Sequence, residues 1–279
     1  MSLQIPYFPV QSGPLKMVAG LQRHGVDTGL GARDQLFFQA DSERAHYLRE
    51  KRRAPADRHG LFGEDPVAQR AREAALAWLE RTLEVEQPQA LREARADRSA
   101  RDPFEAIACA VQEDLAVMAA GEHDAGRTVM LDVRFPSGWR PERLAGASFA
   151  ALHRPVPGFG DSAPAVQSMV RAMVERGPYV RFVWTLCGDE QLDHHPDVRR
   201  TIAWRDVERL WLRVERQVTV GLPEAQGSVF LIRTYLHPCS ALSGEQHRTL
   251  ASALQAMPAE VRAYKGLPQY AEVAHLLSP

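Results

Sequence analysis

The chain has 279 residues, 45% hydrophobic and 25% charged, with a formal net charge of −1 and a pI near 6.8. That profile fits one large or two small globular domains, and it excludes a basic nucleic-acid-binding surface and a membrane-attracted tail. No apolar run approaches the roughly 20 residues of a membrane span, and MSLQIPYFPVQSG lacks the basic-then-apolar order of a secretory signal, so the expected location is cytoplasmic.

In chain order, residues 1–33 are rich in Gly and Pro and read as irregular, wrapped on the surface or on a partner. DQLFFQADSERAHYLREKRR (34–53) has a strand-like start and then a basic helix with an N-cap at Asp41 or Ser42. RAPADRHGLFGEDP (53–66) reads as a loop. PVAQRAREAALAWLERTLEVE (66–86) is an amphipathic helix with Leu76, Leu79 and Leu83 on one stripe. Residues 87–101 read as a polar connector. DPFEAIACAVQEDLAVMAA (102–120) reads as one helix, opened by Asp102 with Pro103 in its first turn.

The second half is richer in strands. RTVMLDVRF (127–135) alternates as a strand, and PSGW turns after it. PERLAGASFAAL (141–152) is a helix that must stop before HRPVPGF, because Pro155 and Pro157 cannot continue it. SAPAVQSMVRAMVER (162–176) is a helix, and PYVRFVWTLCG (178–188) is a strand. A long hairpin covers 210–235, and helices follow over 243–257, 258–264 and 269–277. Four or five strands, mostly antiparallel and flanked by helices, make an α+β fold. An N-terminal extension spans 1–101, and the main unit spans 102–279.

The hairpin alternates Leu210, Leu212, Val214, Val218 and Val220 with Trp211, Arg213, Glu215, Gln217 and Thr219, and Arg216 interrupts the apolar set. Two readings fit: a solvated sheet face, or the lining of a pocket whose charges bind something. Cys109, Cys187 and Cys239 are too few and too scattered for a four-thiol metal or iron–sulfur site, and each reads as a small buried hydrophobe. GxGxxG, GxxxxGK[ST] and GxSxG are all absent. Redox chemistry would therefore need a cofactor held by other residues and electrons from another protein. His153, at a helix end before two prolines, reads either as a cap on the helix carbonyls or as a metal ligand. His194 and His195, held in a loop by Pro196, read as an exposed turn. The tryptophans, Trp184 among them, suit a core or the wall around a flat ligand.

At this point a family resemblance enters. QEDL (112–115), FPSGWRPERLAG followed by ALHRPVPGF, and VRFVW (180–184) occur in this order, followed by LRVERQ…LP…GSVFLIRTYLHP and YKG (264–266). Together they resemble the haem-dependent oxidative N-demethylase α-subunit family. The resemblance implies a PAS-like sheet holding haem b. It implies removal of a methyl group from a small secondary or tertiary amine as formaldehyde, using O2. Electrons would come through FMN, iron–sulfur and NADPH of a partner reductase subunit. It makes His153 the iron ligand, and sets Arg181, Trp184, Arg213, Arg233 and Lys265 about the cofactor. Buried propionates need charge-assisted partners, which the strand arginines would supply. Glu215 is then the catalytic candidate, orienting an arginine or receiving the substrate ammonium.

Two departures stand out. Where the family has Arg-x-Asn-Trp, this chain has Arg181-Phe182-Val183-Trp184, and after RVERQ it has Val218-Thr219-Val220-Gly221. Valine cannot make the hydrogen bond of an asparagine, so the change bears on the substrate or on turnover itself. The alternatives are a PAS-like haem or ligand sensor or carrier, and a scaffold subunit.

Overall fold

A computed structural model describes residues 5–15, 19–121, 126–158, 163–198 and 203–277. The expected helix start at Ser162, the end of HRPVPGF at Phe159, and Arg199 and Arg200 of the loop after His195 lie outside these residues.

The N-terminal portion contributes strand β1 (Gln22–Arg23), helix α1 (Arg44–Arg53), strand β2 (His59–Leu61) and helices α2 (Pro66–Glu86) and α3 (Pro88–Ala96). Helix α4 (Pro103–Ala108) leads into strands β3 (Asp114–Ala119) and β4 (Arg127–Asp132). After them come α5 (Phe149–His153), α6 (Ala163–Glu175) and strand β5 (Tyr179–Cys187). The hairpin is β6 (Trp211–Leu222) and β7 (Gly227–Pro238), and α7 (Gly244–Gln255), α8 (Ala259–Lys265) and α9 (Tyr270–Val273) close the fold. Seven strands form one antiparallel sheet in the order β1-β5-β6-β7-β3-β4-β2. The fold is α+β, with helices flanking an open sheet.

The sheet has two unlike faces. On the core face, Val180, Val218, Leu231 and Val229 pack with Leu115, Val117 and Met130 under α2, α3 and α4. Further along the same face, Trp184, Leu212, Val214 and Tyr235 pack under α7, α8 and α9 through Leu250, Leu254, Val261 and Val273. The other, polar face carries Arg181 and Val183 of β5 beside Gln217 and Glu215 of β6, with Arg213 next along β6. Helix α6 lies over part of this face, through Val166, Val170 and Met173 against Met118. Gly221 permits that approach, since a Cβ there would sit 2.1 Å from the Val174 carbonyl oxygen.

Several sequence expectations are corrected. The helix expected over 102–120 is the single short helix α4 followed by strand β3. Every residue of DLAVMA is buried between β7 and β4, so it shows no alternation to mark a strand. The connector over 87–101 contains α3, which buries Ala90, Leu91 and Ala94. The helix over 141–152 is broken: a 3-10 turn covers Pro141–Leu144, Gly146 takes φ +68°, and Ser148 caps a fresh start by accepting from the Ala151 N–H. The strand-like FFQ bends at Phe37 and Phe38 and joins no sheet. Phe37 and Phe38 donate their N–H groups to Glu86, and Gln39 donates to Glu113. Two short strands, β1 and β2, fall in stretches read as irregular or loop.

Candidate functional site

Helix α5 ends at His153 because Pro155 follows. The His153 ring stacks on Phe149, with centroids 4.0 Å apart, and Nδ1 lies 2.9 Å from the Phe149 carbonyl oxygen. Donation from Nδ1–H to that carbonyl puts the lone pair on Nε2, the arrangement that orients a metal-binding imidazole. Burial, followed by the nearby Arg181 charge, holds the His153 pKa below the ordinary imidazole range and keeps the ring neutral.

Arg181 reaches this region from β5. Among the described residues, its side chain makes one hydrogen bond, from Nε to Gln217 Oε1 at 2.7 Å. Burial lowers its pKa, a depression that Glu215 only partly offsets. Beyond Gln217 the chain of contacts continues. Gln217 Nε2 donates to Glu215 Oε2 at 2.9 Å, and Arg213 Nε lies 3.2 Å from Glu215 Oε1. Lys265, at the end of α8, donates to the Trp184 carbonyl at 2.7 Å. Burial pushes the Lys265 amine down to about 8; Glu215 opposes the shift and Arg181 adds to it. Tyr264 next to it also senses Arg181 and Glu215.

Of the other expected residues, Arg213 joins the cluster through Glu215, and Arg233 and the Trp184 ring lie on the core face. Arg213 is buried, and its terminal nitrogens donate to the carbonyls of Leu192 and Phe135 and to Thr234 Oγ1. Arg233 stands opposite Arg216 on the core face, bonded to Gln39, Thr234 and Asp41 and lying between the rings of Tyr47 and Tyr235. The Trp184 ring is also in the core, where its indole N–H has no hydrogen-bond partner. The structure therefore gathers His153, Arg181 and Glu215 on the polar face and leaves Arg233 on the other, while Lys265 comes from the core side, its Nζ 5.7 Å from the centroid of the Trp184 ring, and still feels Glu215 and Arg181. Gln217 and Tyr264 complete the cluster. Alternation puts Gln217 on the Glu215 face, but only the strand register shows that it meets Arg181.

His194 and His195 are buried, contrary to the exposed turn expected. His194 Nε2 meets Asp189 at 2.8 Å, and His195 Nε2 sits 3.2 Å from both Glu142 oxygens. Backbone bonds from His194 N to Pro136 O and from Gly138 N to His194 O stitch this loop onto the PSGW turn. Such packing depends on contacts distant in sequence. Among the described residues, no group of three or more His, Cys, Asp or Glu side chains is placed to hold a metal ion. No helix among them is long and apolar enough to cross a membrane.

Compared with known families, residues 37–275 match the one described as haem-dependent oxidative N-demethylase, alpha subunit-like. The chain belongs to that family. By this description the family depends on haem, and an alpha subunit implies an assembly with other subunits. The cluster fits the chemistry of haem: it sets one oriented, neutral imidazole beside two half-buried cations, Arg181 and Lys265, that both feel the Glu215 carboxylate. Haem carries an iron needing a nitrogen ligand and two carboxylates needing donors.

Proposed function

We propose that the chain is the haem-binding subunit of an oxidative N-demethylase. In this reading a PAS-like domain removes a methyl group from a small secondary or tertiary amine as formaldehyde, using O2 and electrons from a partner reductase. The observation that carries the reading is Arg181. Arg181 is half-buried, and among the described residues both of its terminal nitrogens lack a hydrogen-bond partner. A guanidinium that presents two unengaged nitrogens beside an imidazole suits an anion, and a haem propionate is an anion of the right kind.

His153 is the axial ligand in this reading, and Arg181 and Lys265 are the propionate partners. When bound, haem supplies the one-electron and O2 chemistry that side chains lack. The protein contributes orientation: Phe149 fixes the His153 ring, and burial favours the neutral imidazole that an iron ligand requires. Arg213 and Gln217 hold Glu215 in place, where its carboxylate can receive a substrate ammonium.

A sensor or carrier without turnover is the second reading. It draws on Glu215, whose oxygens are already engaged by Arg213 and Gln217 and whose cross-strand neighbour is the apolar Val183. Absorption spectroscopy of the purified protein tests haem binding. A Soret band is expected, and His153→Ala should lose stoichiometric haem while its circular dichroism stays unchanged. Normal haem loading in that variant would remove His153 from the site. Formaldehyde release separates the two readings. If a competent reductase reduces the haem and a broad panel of methylated amines yields none, the sensor or carrier reading stands.

A further inference from the structure

Arg181 and Glu215 lie on neighbouring strands but are not directly opposed. Arg181 faces Gln217, and Glu215 faces Val183. Arg181 and Glu215 are thus diagonal neighbours, a separation that long side chains readily span. A half-buried guanidinium and a carboxylate at that spacing would ordinarily close into a direct ion pair. No such pair within 4.0 Å forms among the described residues, although Arg181 senses the charge of Glu215. The Gln217 amide stands between them, accepting from Arg181 Nε at 2.7 Å and donating to Glu215 Oε2 at 2.9 Å. Its orientation is dictated by its neighbours, since only its oxygen can receive Arg181 and only its NH2 can serve a carboxylate. Arg213 holds the other Glu215 oxygen from the opposite side.

We propose that Gln217 is a positioning residue that keeps Arg181 and Glu215 apart, so that the Arg181 terminal nitrogens stay available to an incoming carboxylate. This rests on haem as the ligand. A hydrogen-bonding wedge of neutral charge is what the arrangement requires. A carboxylate at position 217 would neutralise Arg181. An apolar side chain would free Arg181 to swing onto Glu215. In either case the cation would be spent within the protein.

The test is haem titration of the apo-protein, followed by its Soret absorbance, for wild type, Gln217→Leu, and Gln217→Leu combined with Glu215→Gln. Gln217→Leu should weaken haem binding by about tenfold or more. The double variant should recover most of that loss, because Arg181 then has no carboxylate to pair with. A mere packing role for Gln217 predicts no such rescue. Unchanged affinity in the single variant, or a double variant no better than the single, overturns the proposal. The crystal structure of Gln217→Leu without haem gives a readout independent of the ligand. An Arg181 terminal nitrogen within ion-pair distance of Glu215 supports the wedge, and an unmoved Arg181 overturns it. If wild type binds no haem, the haem reading fails on its own, and this structure still decides the role of Gln217.

Discussion

Two charged clusters flank opposite parts of the sheet, and they are built on opposite principles. Near α4, every cation has a carboxylate. His59 Nε2 meets Asp102 at 2.7 Å and Nδ1 meets Asp132 at 3.0 Å, while Arg134 bonds both Asp132 oxygens and Glu105 at 2.8 Å. Arg101 adds two further bonds to Glu105 and drives its carboxyl down to about 2. At the candidate site, Arg181 and Lys265 both feel Glu215, and burial lowers both of their pKa values. The α4 cluster therefore raises Arg134, because Asp132 outweighs its burial, whereas Arg181 shifts the other way. Saturated charges hold elements together. In the proposed function, the charges left short of partners are the ones that meet the cofactor.

Breaking the saturated cluster should have the largest effect. Arg134→Met leaves Asp132 and Glu105 buried with too few donors and should destabilise the fold by about 3–5 kcal/mol, read as a lower denaturant midpoint. An unchanged midpoint would place the two clusters in the same class.

Arg181→Leu sharpens the contrast. It should weaken haem binding by about 1–3 kcal/mol, because a buried propionate loses its donor. The apo-protein should melt at an equal or higher temperature, since a desolvated cation has been removed. A clear fall in apo stability would make Arg181 another structural arginine.

The pH dependences should also run in opposite directions. Burial lowers His59, but its hydrogen bonds to Asp102 and Asp132 outweigh that and raise it to about 9. Its contribution is fully present below about 6.5, the unfolded value, and is lost as pH rises through 9. Lys265 is depressed to about 8. The charged amine therefore weakens the fold below 8, and that penalty is relieved as pH climbs toward the unfolded value near 10.4. Urea midpoints should fall from pH 6.5 to 9 in wild type, and His59→Gln should flatten that decline. Lys265→Met should remove the opposing rise above pH 8, the smallest of these effects.

Much of this contrast was visible in the sequence, but unevenly. The α2 stripe of Leu79 and Leu83 announces itself because α2 buries one face, and the hairpin because apolar and polar side chains alternate along it although both of its faces are largely buried. His153 was marked by its position before Pro155. Strand β3 was hidden because both of its faces are buried, which erases alternation. The separation of Arg213 and Arg233 from Arg181 was equally hidden. All three occupy similar sequence contexts, and only the register and the carbonyls of Phe135, Leu192 and Gln39 distinguish them. Hydrogen bonds to backbone from distant loops leave no local pattern to read.

The two outermost strands carry a consequence for solubility. The nine-residue β5 meets β1 only at Tyr179 and Val180, and β4 meets β2 only at Asp132, Leu131 and Met130. Very short border strands offer a poor template for another chain. Both come from the first 61 residues, so a version lacking them would bare the three paired residues of β4 and the two of β5, and is expected to self-associate edge to edge and form inclusion bodies.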